Sequence, residues 1–547
     1  MPIYLSEYLL PNQGDNIIRT PNQKYEFSEK SLGVVLFKQM KKYSDDIAQI
    51  DAVTEASDTH GMLLKRSIRT AVEMQNRGVT KGDIICICSS NNLNSCVPYL
   101  AGLFIGAKVS ALDPIMSYED MKHLLNQVPP SIIFAADESE QSLKEIISDL
   151  NLLTTDIIPF NSIAFEAFLS EKLDENEFKP VIVNDVFETA VIFFSSGTTG
   201  LAKGICINHY TLLQQSPAFK MLGFDLNIVL SFASLYWISA INLLISSLLY
   251  GQTRLLVPDF DEDQTWQLID KFKVTTLLMS STQATLLIKS NKPPHLKFES
   301  LKHVTIGGAP VSLNLFNGLE KTFPRAKVIQ GYGWTEVGGI ITISSPNSSQ
   351  DLMLLENKPL SCGRPIPGIW YKLVDLETEK ALGPNKRGEL RLKTDYQMNG
   401  YYNMDSSNAW DSQGWIRTGD ICYYDEDYCF YVIDRLKELI KYRGWHVSPA
   451  LLEGILVKHP AVKMAVVIGV PHDQDNEHPL ALVMLTNKDN NTINEDQLRK
   501  FVDDQVDDNK KLRAGVRFIE DMPKTPTGKV RRYFLKMQIL SQIFNNK

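Results

Sequence analysis

The sequence predicts an α/β protein. A large N-terminal domain of parallel βαβ subdomains with a small β-barrel-like part is followed by a small α+β C-terminal domain. Three observations predict this. Short β-branched apolar runs alternate with helix-length amphipathic stretches up to about Ser361, the pattern of βαβ units with right-handed crossovers. Beyond Ser361 come strands separated by Gly, Pro and Asn turns. A Lys- and Arg-rich stretch, Asp434–Tyr442, then interrupts the pattern like a linker. The expected division is 1–434, a hinge at 435–441, and 442–547.

Ile84–Ser89 is a buried-strand run, and the helix after Asn94 places Val97, Leu100 and Leu103 on one face. Ser117 reads as an N-cap, with Asp120 three residues on. Ile132–Ala135, Val191–Phe194, Thr275–Met279 and His303–Ile306 are further strands, separated by helices such as Thr265–Phe272 and Ser312–Phe323. Tyr371–Asp375, Gly388–Lys393 and Tyr428–Ile433 read as antiparallel strands. The last segment has helices at Ser448–His459 and Glu495–Val506 around a strand at Met464–Val470.

The 547 residues allow three to four domain-sized units at about 150 residues each. A formal net charge of −8 argues against a general binder of nucleic acid or anionic membrane, which would show a basic excess. Seven cysteines without a C-x-x-C pair signal neither a disulfide framework nor a zinc site, and point to a reducing compartment. The opening residues do not read as a signal peptide. The run Leu226–Thr253 has no charged residue and is long enough to span a membrane. Ser231, Ser234, Ser239, Asn242, Ser246 and Ser247 dilute it, so it reads as a buried strand (Ile228–Phe232) and a core helix to about Tyr250.

Four motifs carry chemistry. Ser195-Ser196-Gly197-Thr198-Thr199-Gly200-Leu201-Ala202-Lys203-Gly204 follows a strand. Its glycines turn backbone N–H groups inward, its hydroxyls add donors and Lys203 adds charge, which suits a polyphosphate. It is not a Walker loop, because Gly204 follows Lys203. Gln330-Gly331-Tyr332-Gly333-Trp334-Thr335-Glu336 offers an aromatic face between glycines, then a hydroxyl and a carboxylate suited to phosphate and Mg²⁺. Gly307-Gly308-Ala309-Pro310 is a tight turn after a strand. Asp420, ending Gly414-Trp415-Ile416-Arg417-Thr418-Gly419-Asp420, and Arg435 suit ribose hydroxyls, although the spacing alone equally fits a surface ion pair. Pro523-Lys524-Thr525-Pro526-Thr527-Gly528-Lys529 is a stiffened loop presenting a lysine.

In this order, from about Gly82 to Arg532, the motifs resemble the acyl-adenylate-forming superfamily. Its members include acyl-CoA and aryl-CoA ligases, beetle luciferases and peptide-synthetase adenylation domains. QGYGWTE, GWIRTGD and RLKELIKYRGW are most similar to the insect luciferase-like and 4-coumarate–CoA ligase-like branch. The resemblance implies an enzyme using ATP, Mg²⁺ and coenzyme A: a carboxylic acid, medium- or long-chain fatty or aromatic, becomes acyl-AMP and then acyl-CoA. Ser195 to Lys203 would hold the phosphates, with Thr198 and Thr199 as donors. Gln330 to Gly333 and Thr335 would line the nucleotide site, with Tyr332 against adenine. Gly308, Ala309 and Pro310 would line the adenine and acid pockets, Glu336 would hold Mg²⁺, and Asp420 and Arg435 would hold the ribose. Lys529 would meet the reacting carboxylate and α-phosphate. The small domain would be mobile, turning about Lys437 to exchange Lys529 for a face with Lys441, Gly444 and Trp445. Tyr236, Trp237, Ser239, Gly308, Gly333 and Trp334 would shape the acid pocket; Gly333 stands where acetate-specific relatives have tryptophan, so a larger acid fits.

Departures qualify the resemblance. Tyr236-Trp237-Ile238-Ser239 replaces the His-His-Gly-Phe of beetle luciferases, Ala202 stands where many relatives have proline, and Lys393-Thr394 where glycine is usual. The ending Asn545-Asn546-Lys547 lacks a Ser-Lys-Leu-type address, so a cytoplasmic location is expected over the peroxisomal one found in this branch. Two other readings stand beside the ligase: a luciferase-type monooxygenase acting on a non-beetle luciferin, and a catalytically silent ligand-binding relative.

Overall fold

The computed structural model describes residues 14–22, 31–194, 202–443, 445–486, 493–523 and 530–545. Two largely parallel sheets form the body. One has six strands among the described residues, in the spatial order Asp156–Pro159, Ile132–Ala135, Ile84–Cys88, Lys108–Leu112, Thr189–Phe194, Gly204–Asn208. All pairs in it are parallel except the last. The other has nine described strands, with Ile228–Ser231, Thr276–Ser280, His303–Gly307 and Lys327–Trp334 parallel neighbours at its centre. Ile84–Cys88 and Ile132–Ala135 are buried along their whole length, as expected for parallel strands covered on both faces.

An antiparallel sheet of five described strands follows, running through Ile369–Val374, Gly388–Thr394, Ile416–Tyr424 and Phe430–Arg435. The C-terminal unit has its own core, in which Val467, Ala481, Leu498 and Leu512 are buried. The helix after Asn94 begins at Cys96, and every residue to Ile105 is buried rather than one face only. Ser117 caps its helix by accepting from the Asp120 amide. The uncharged run resolves into the strand Ile228–Ser231 and the helix Ile238–Tyr250. Among the described residues no helix is long and apolar enough to cross a membrane. The strand Phe430–Arg435 takes in the first residues of Asp434–Tyr442 and the strand Ile440–Tyr442 its last, leaving 436–439 between them.

Candidate active site

The strand Lys327–Trp334 leaves its parallel neighbour His303–Gly307 and turns to pair antiparallel with Gly339–Ile343. The residues after that exchange of partners are the candidate nucleotide site. The Tyr332 hydroxyl donates to Asp420 Oδ2. Asp420 lies in the strand Ile416–Tyr424 directly across from Arg435, whose Nε is 3.4 Å from Asp420 Oδ1. Burial, then the Asp420 charge, hold the Tyr332 hydroxyl well above the usual phenol range. Burial works against the Arg435 charge, but Asp420 and Glu438 outweigh it and raise the pKa. Two sheets thus place an aromatic face, a buried carboxylate and a guanidinium together. Gly308, Ala309 and Pro310 are exposed after the strand His303–Gly307. Gly308 has φ +85°, a left-handed turn that a side chain strains. The Gln330 side chain is buried and turned inward, with Nε2 3.3 Å from Cys362 Sγ.

Glu336 follows in a short 3-10 turn, Thr335–Val337, and is buried. Burial pushes its carboxyl up to about 7, although Arg435 and a hydrogen bond from Tyr401 act in the opposite direction. The Lys203 ammonium lies 4.9 Å from the centre of the same Tyr401 ring. Tyr401 is a site residue that the sequence reading missed. Its signal is Asn399-Gly400 followed by two tyrosines, an irregular segment stitched to the strand Gly204–Asn208 through the Ile205–Tyr401 bridge.

Residues 195–201, which include Ser195, Ser196, Gly197, Thr198, Thr199 and Gly200, lie outside the described residues. Both roots of that loop are described. Phe194 pairs antiparallel with Gly204, so the two described ends of the loop are strand residues lying side by side. The helix Tyr118–Gln127 fixes one root: the Gly204 amide donates to Gln127 Oε1 (2.8 Å), and His123 Nε2 lies 2.9 Å from the Ala202 carbonyl oxygen.

Among the residues expected to shape the acid pocket, Tyr236 is buried, stacks on Phe194 (6.2 Å between centroids, 15° between planes) and meets Trp237 edge-on. Trp237 Nε1 faces Asp113 without full hydrogen-bond geometry. Ser234 Oγ donates to Asp113 Oδ2 at 2.6 Å, and burial raises the Asp113 carboxyl. Ser239 lies in the first turn of the helix Ile238–Tyr250, while on the strand Lys327–Trp334 Gly333 is exposed and Trp334 half-buried. Asp113 was not legible, because nothing in Leu112-Asp113-Pro114 marks a contact more than a hundred residues distant.

In the C-terminal unit, Lys529 and Gly444 lie outside the described residues. Arg531, two positions after Lys529, pairs with Asp120 of the helix Tyr118–Gln127 at 2.6 Å. The segment following Lys529 therefore rests on the helix that roots the phosphate loop. Lys441 and Trp445 are exposed, on strands that pair with each other, and the Lys441 amide donates to Glu477 of the same unit. Lys437 is exposed between strands. A separate cluster, His472, Asp475 and His478, brings two imidazoles and a carboxylate together. The rings stack at 3.9 Å and 17°, so their lone pairs run side by side rather than converging, and Arg443 already holds Asp475.

The AMP-binding enzyme family matches residues 36–402, and the AMP-binding enzyme C-terminal domain matches 451–529. Luciferin 4-monooxygenase of Photuris pensylvanica is 32% identical over 542 residues, covering 95% of this chain and 97% of that one. 4-Coumarate--CoA ligase-like 9 of Arabidopsis thaliana is 32% identical over 485 residues, covering 87% of this chain and 84% of that one. The luciferase-like enzyme from the nonluminescent Zophobas morio mealworm superposes with a TM-score of 0.74 at 37% identity, covering 78% of this chain and all of that one. With the tyrosine, carboxylate and arginine of the cleft inside matches that span most of its length, the chain belongs to the AMP-binding enzymes, the adenylate-forming superfamily its motifs resemble.

Proposed function

We propose that the chain is an AMP-forming acid–thiol ligase that couples a medium- or long-chain fatty acid or an aromatic acid to coenzyme A. A carboxylate oxygen attacks the α-phosphorus of ATP and pyrophosphate leaves. The thiol sulfur then attacks the acyl carbon and AMP leaves. The observation that carries this reading is the Tyr332–Asp420–Arg435 group, an aromatic face beside a buried carboxylate whose second oxygen is oriented by a guanidinium. Tyr332 stacks on adenine, Asp420 accepts from the ribose hydroxyls, and Lys529 opposes charge that peaks during phosphoryl attack. Glu336, a buried carboxyl with few cationic neighbours, suits Mg²⁺ and would hold it, and the ion would supply positive charge to the phosphates. Domain boundaries at 434/435 and 441/442 make 435–441 the hinge about which Lys441, Gly444 and Trp445 replace Lys529 for the thiol step.

The test is acid-dependent ATP–pyrophosphate exchange over a panel of carboxylic acids, followed by addition of coenzyme A. Exchange with at least one acid, and thioester formation once coenzyme A is present, are expected; no exchange with any acid overturns the reading. The similarity to luciferin 4-monooxygenase favours a second reading, oxidation of a luciferin adenylate. Tyr236-Trp237-Ile238-Ser239 argues against the beetle substrate, and light from protein, ATP, oxygen and tissue extract is the discriminating result.

A further inference from the structure

The segment 397–402 is hydrogen-bonded to Glu336 on one side and to the strand Gly204–Asn208 on the other. The Met398 amide donates to the Glu336 carbonyl oxygen (2.8 Å). The Asn399 amide donates to the Cys206 carbonyl (2.8 Å), the Cys206 amide to Gly400 (3.0 Å) and the Tyr402 amide to Gly204 (2.7 Å). Asn208 Nδ2 adds hydrogen bonds to the Gln397 carbonyl (3.1 Å) and to Asn399 Oδ1 (2.9 Å). Gly400 turns the chain at φ +117°, where a Cβ would come within 2.9 Å of Ser406 Oγ. The same Oγ accepts from the Tyr401 amide (2.7 Å). The backbone of Tyr401 is therefore fixed, and its side chain meets two different groups. Its hydroxyl donates to the Glu336 carboxylate. Its ring faces the Lys203 ammonium, 4.9 Å from the ring centre.

We infer that Tyr401 is a positioning residue: its hydroxyl orients the Glu336 carboxylate for Mg²⁺ while its ring keeps the phosphate-loop lysine on the same side. This deepens the ligase reading and rests on it, through the role given there to Glu336. The last torsion of a glutamate side chain is broad and has no sharp rotamer of its own. An ionised carboxylate has about four lone-pair sites. A hydroxyl delivered from a fixed backbone occupies one of them, stops the rotation and leaves the others aimed in one direction. The segment thus holds Glu336 twice, its main chain through Met398 and its side chain through Tyr401. Groups that orient a metal-binding side chain matter nearly as much as the side chain itself.

The experiment is calorimetric titration of the full chain with ATP, once in excess MgCl2 and once in EDTA, with no acid or thiol present. The ratio of the two Kd values measures how far Mg²⁺ strengthens ATP binding. Tyr401→Phe keeps the ring beside Lys203 and removes only the hydroxyl. It is expected to lower that ratio by about tenfold or more, the scale on which the outer partners of metal ligands act, and to leave Kd in EDTA unchanged. Glu336→Gln is expected to lower the ratio too. Adding Tyr401→Phe to Glu336→Gln should lower it no further, since a residue that works through Glu336 then has nothing left to orient. A ratio unmoved by Tyr401→Phe overturns the inference. Equal loss of affinity with and without Mg²⁺ also overturns it, because that marks a tyrosine that serves packing alone. Additive losses in the double variant, or a wild type whose ATP affinity ignores Mg²⁺, overturn it as well. Failure of the ligase reading shows separately, as no ATP–pyrophosphate exchange with any acid by a wild type that still binds ATP and Mg²⁺.

Discussion

The residues proposed to hold the nucleotide and those proposed to hold the acid treat their polar groups differently. At the proposed nucleotide end Tyr332, Asp420 and Arg435 pair with one another, although Gln330 Oε1 on the same strand as Tyr332 is buried without a partner. At the proposed acid end Trp237 Nε1 is buried without a partner of its own. A self-satisfied network is rigid before the ligand arrives and presents the same face to every molecule of ATP. Unsatisfied groups discriminate, because the wrong ligand leaves them unsatisfied. On the proposed assignment, the common substrate of the family would be met by the first kind of site, and the variable one by the second.

Lys529 is the largest test, since it is expected to act where the two ends meet. Lys529→Ala is expected to cost roughly 3 kcal/mol or more in acid-dependent pyrophosphate exchange, by analogy with the loss of one oriented electrostatic donor. Thioester formation from supplied acyl-AMP should survive. Measured in parallel, equal loss of both reactions would count against a lysine used in only one pose.

Glu336 sharpens the contrast through pH. Its folded pKa of about 7 lies above the ordinary 4.5, so the folded state binds the proton more tightly than the unfolded chain. Stability from this group is fully present below about pH 4.5, falls as the pH rises, and is lost above about 7. Glu336→Gln mimics the protonated form. Without nucleotide it should therefore be more stable than the wild type near pH 8, by on the order of 3 kcal/mol, with the gain vanishing toward pH 4.5. Chemical denaturation at the two pH values measures it, and a pH-independent difference would refute the assignment. The same variant should lose exchange activity, so stability and function move in opposite directions at one carboxylate.

Asp420→Ala breaks the paired end directly. It strips the Tyr332 hydroxyl and the Arg435 guanidinium of a shared acceptor, and hydrogen bonds to charged groups contribute about 1.5–3 kcal/mol each. KM for ATP is expected to rise roughly ten- to a hundredfold, while the ratio of rates between one acid and another stays where it was. A change in that ratio would mean the two ends are not separable.

The contrast also explains what the sequence made legible. The alternation of buried strands and helices identified the parallel sheets, because parallel strands are apolar along their whole length. Tyr332, Glu336, Asp420 and Arg435 stand in short runs whose chemistry is local, so each could be named before its partners were known. Tyr401 and Asp113 were not. Each is defined by what faces it from another part of the chain: Glu336, and Ser234 with Trp237. The charges of Asp434–Tyr442 look solvated in the sequence, whereas Asp434 caps the next helix through Ser448 (2.6 Å) and Glu438 pairs with Arg532 (3.2 Å).

Adjacent arginines provide the smallest test. Arg532 is held inside the C-terminal unit by Glu453 and Glu438, whereas Arg531 reaches across to Asp120. The charges of Asp120 and Arg531 both act on the Tyr236 hydroxyl, so this bridge belongs to the surroundings of a residue proposed for the acid pocket. Both partners are about one-third exposed, and such pairs contribute about 0.2–1 kcal/mol. That is too little to hold the protein together and enough to bias two poses of similar free energy. Asp120→Asn is therefore expected to leave the fold intact. It should lower pyrophosphate exchange, relative to thioester formation from supplied acyl-AMP, by about twofold to fivefold. Salt screens exposed charges with a Debye length of about 10 Å at 0.1 M and about 3 Å at 1 M, so raising the ionic strength should move the wild type toward the variant and leave the variant where it is. A variant that shifts both half-reactions alike, at any salt concentration, would reduce the bridge to a surface contact.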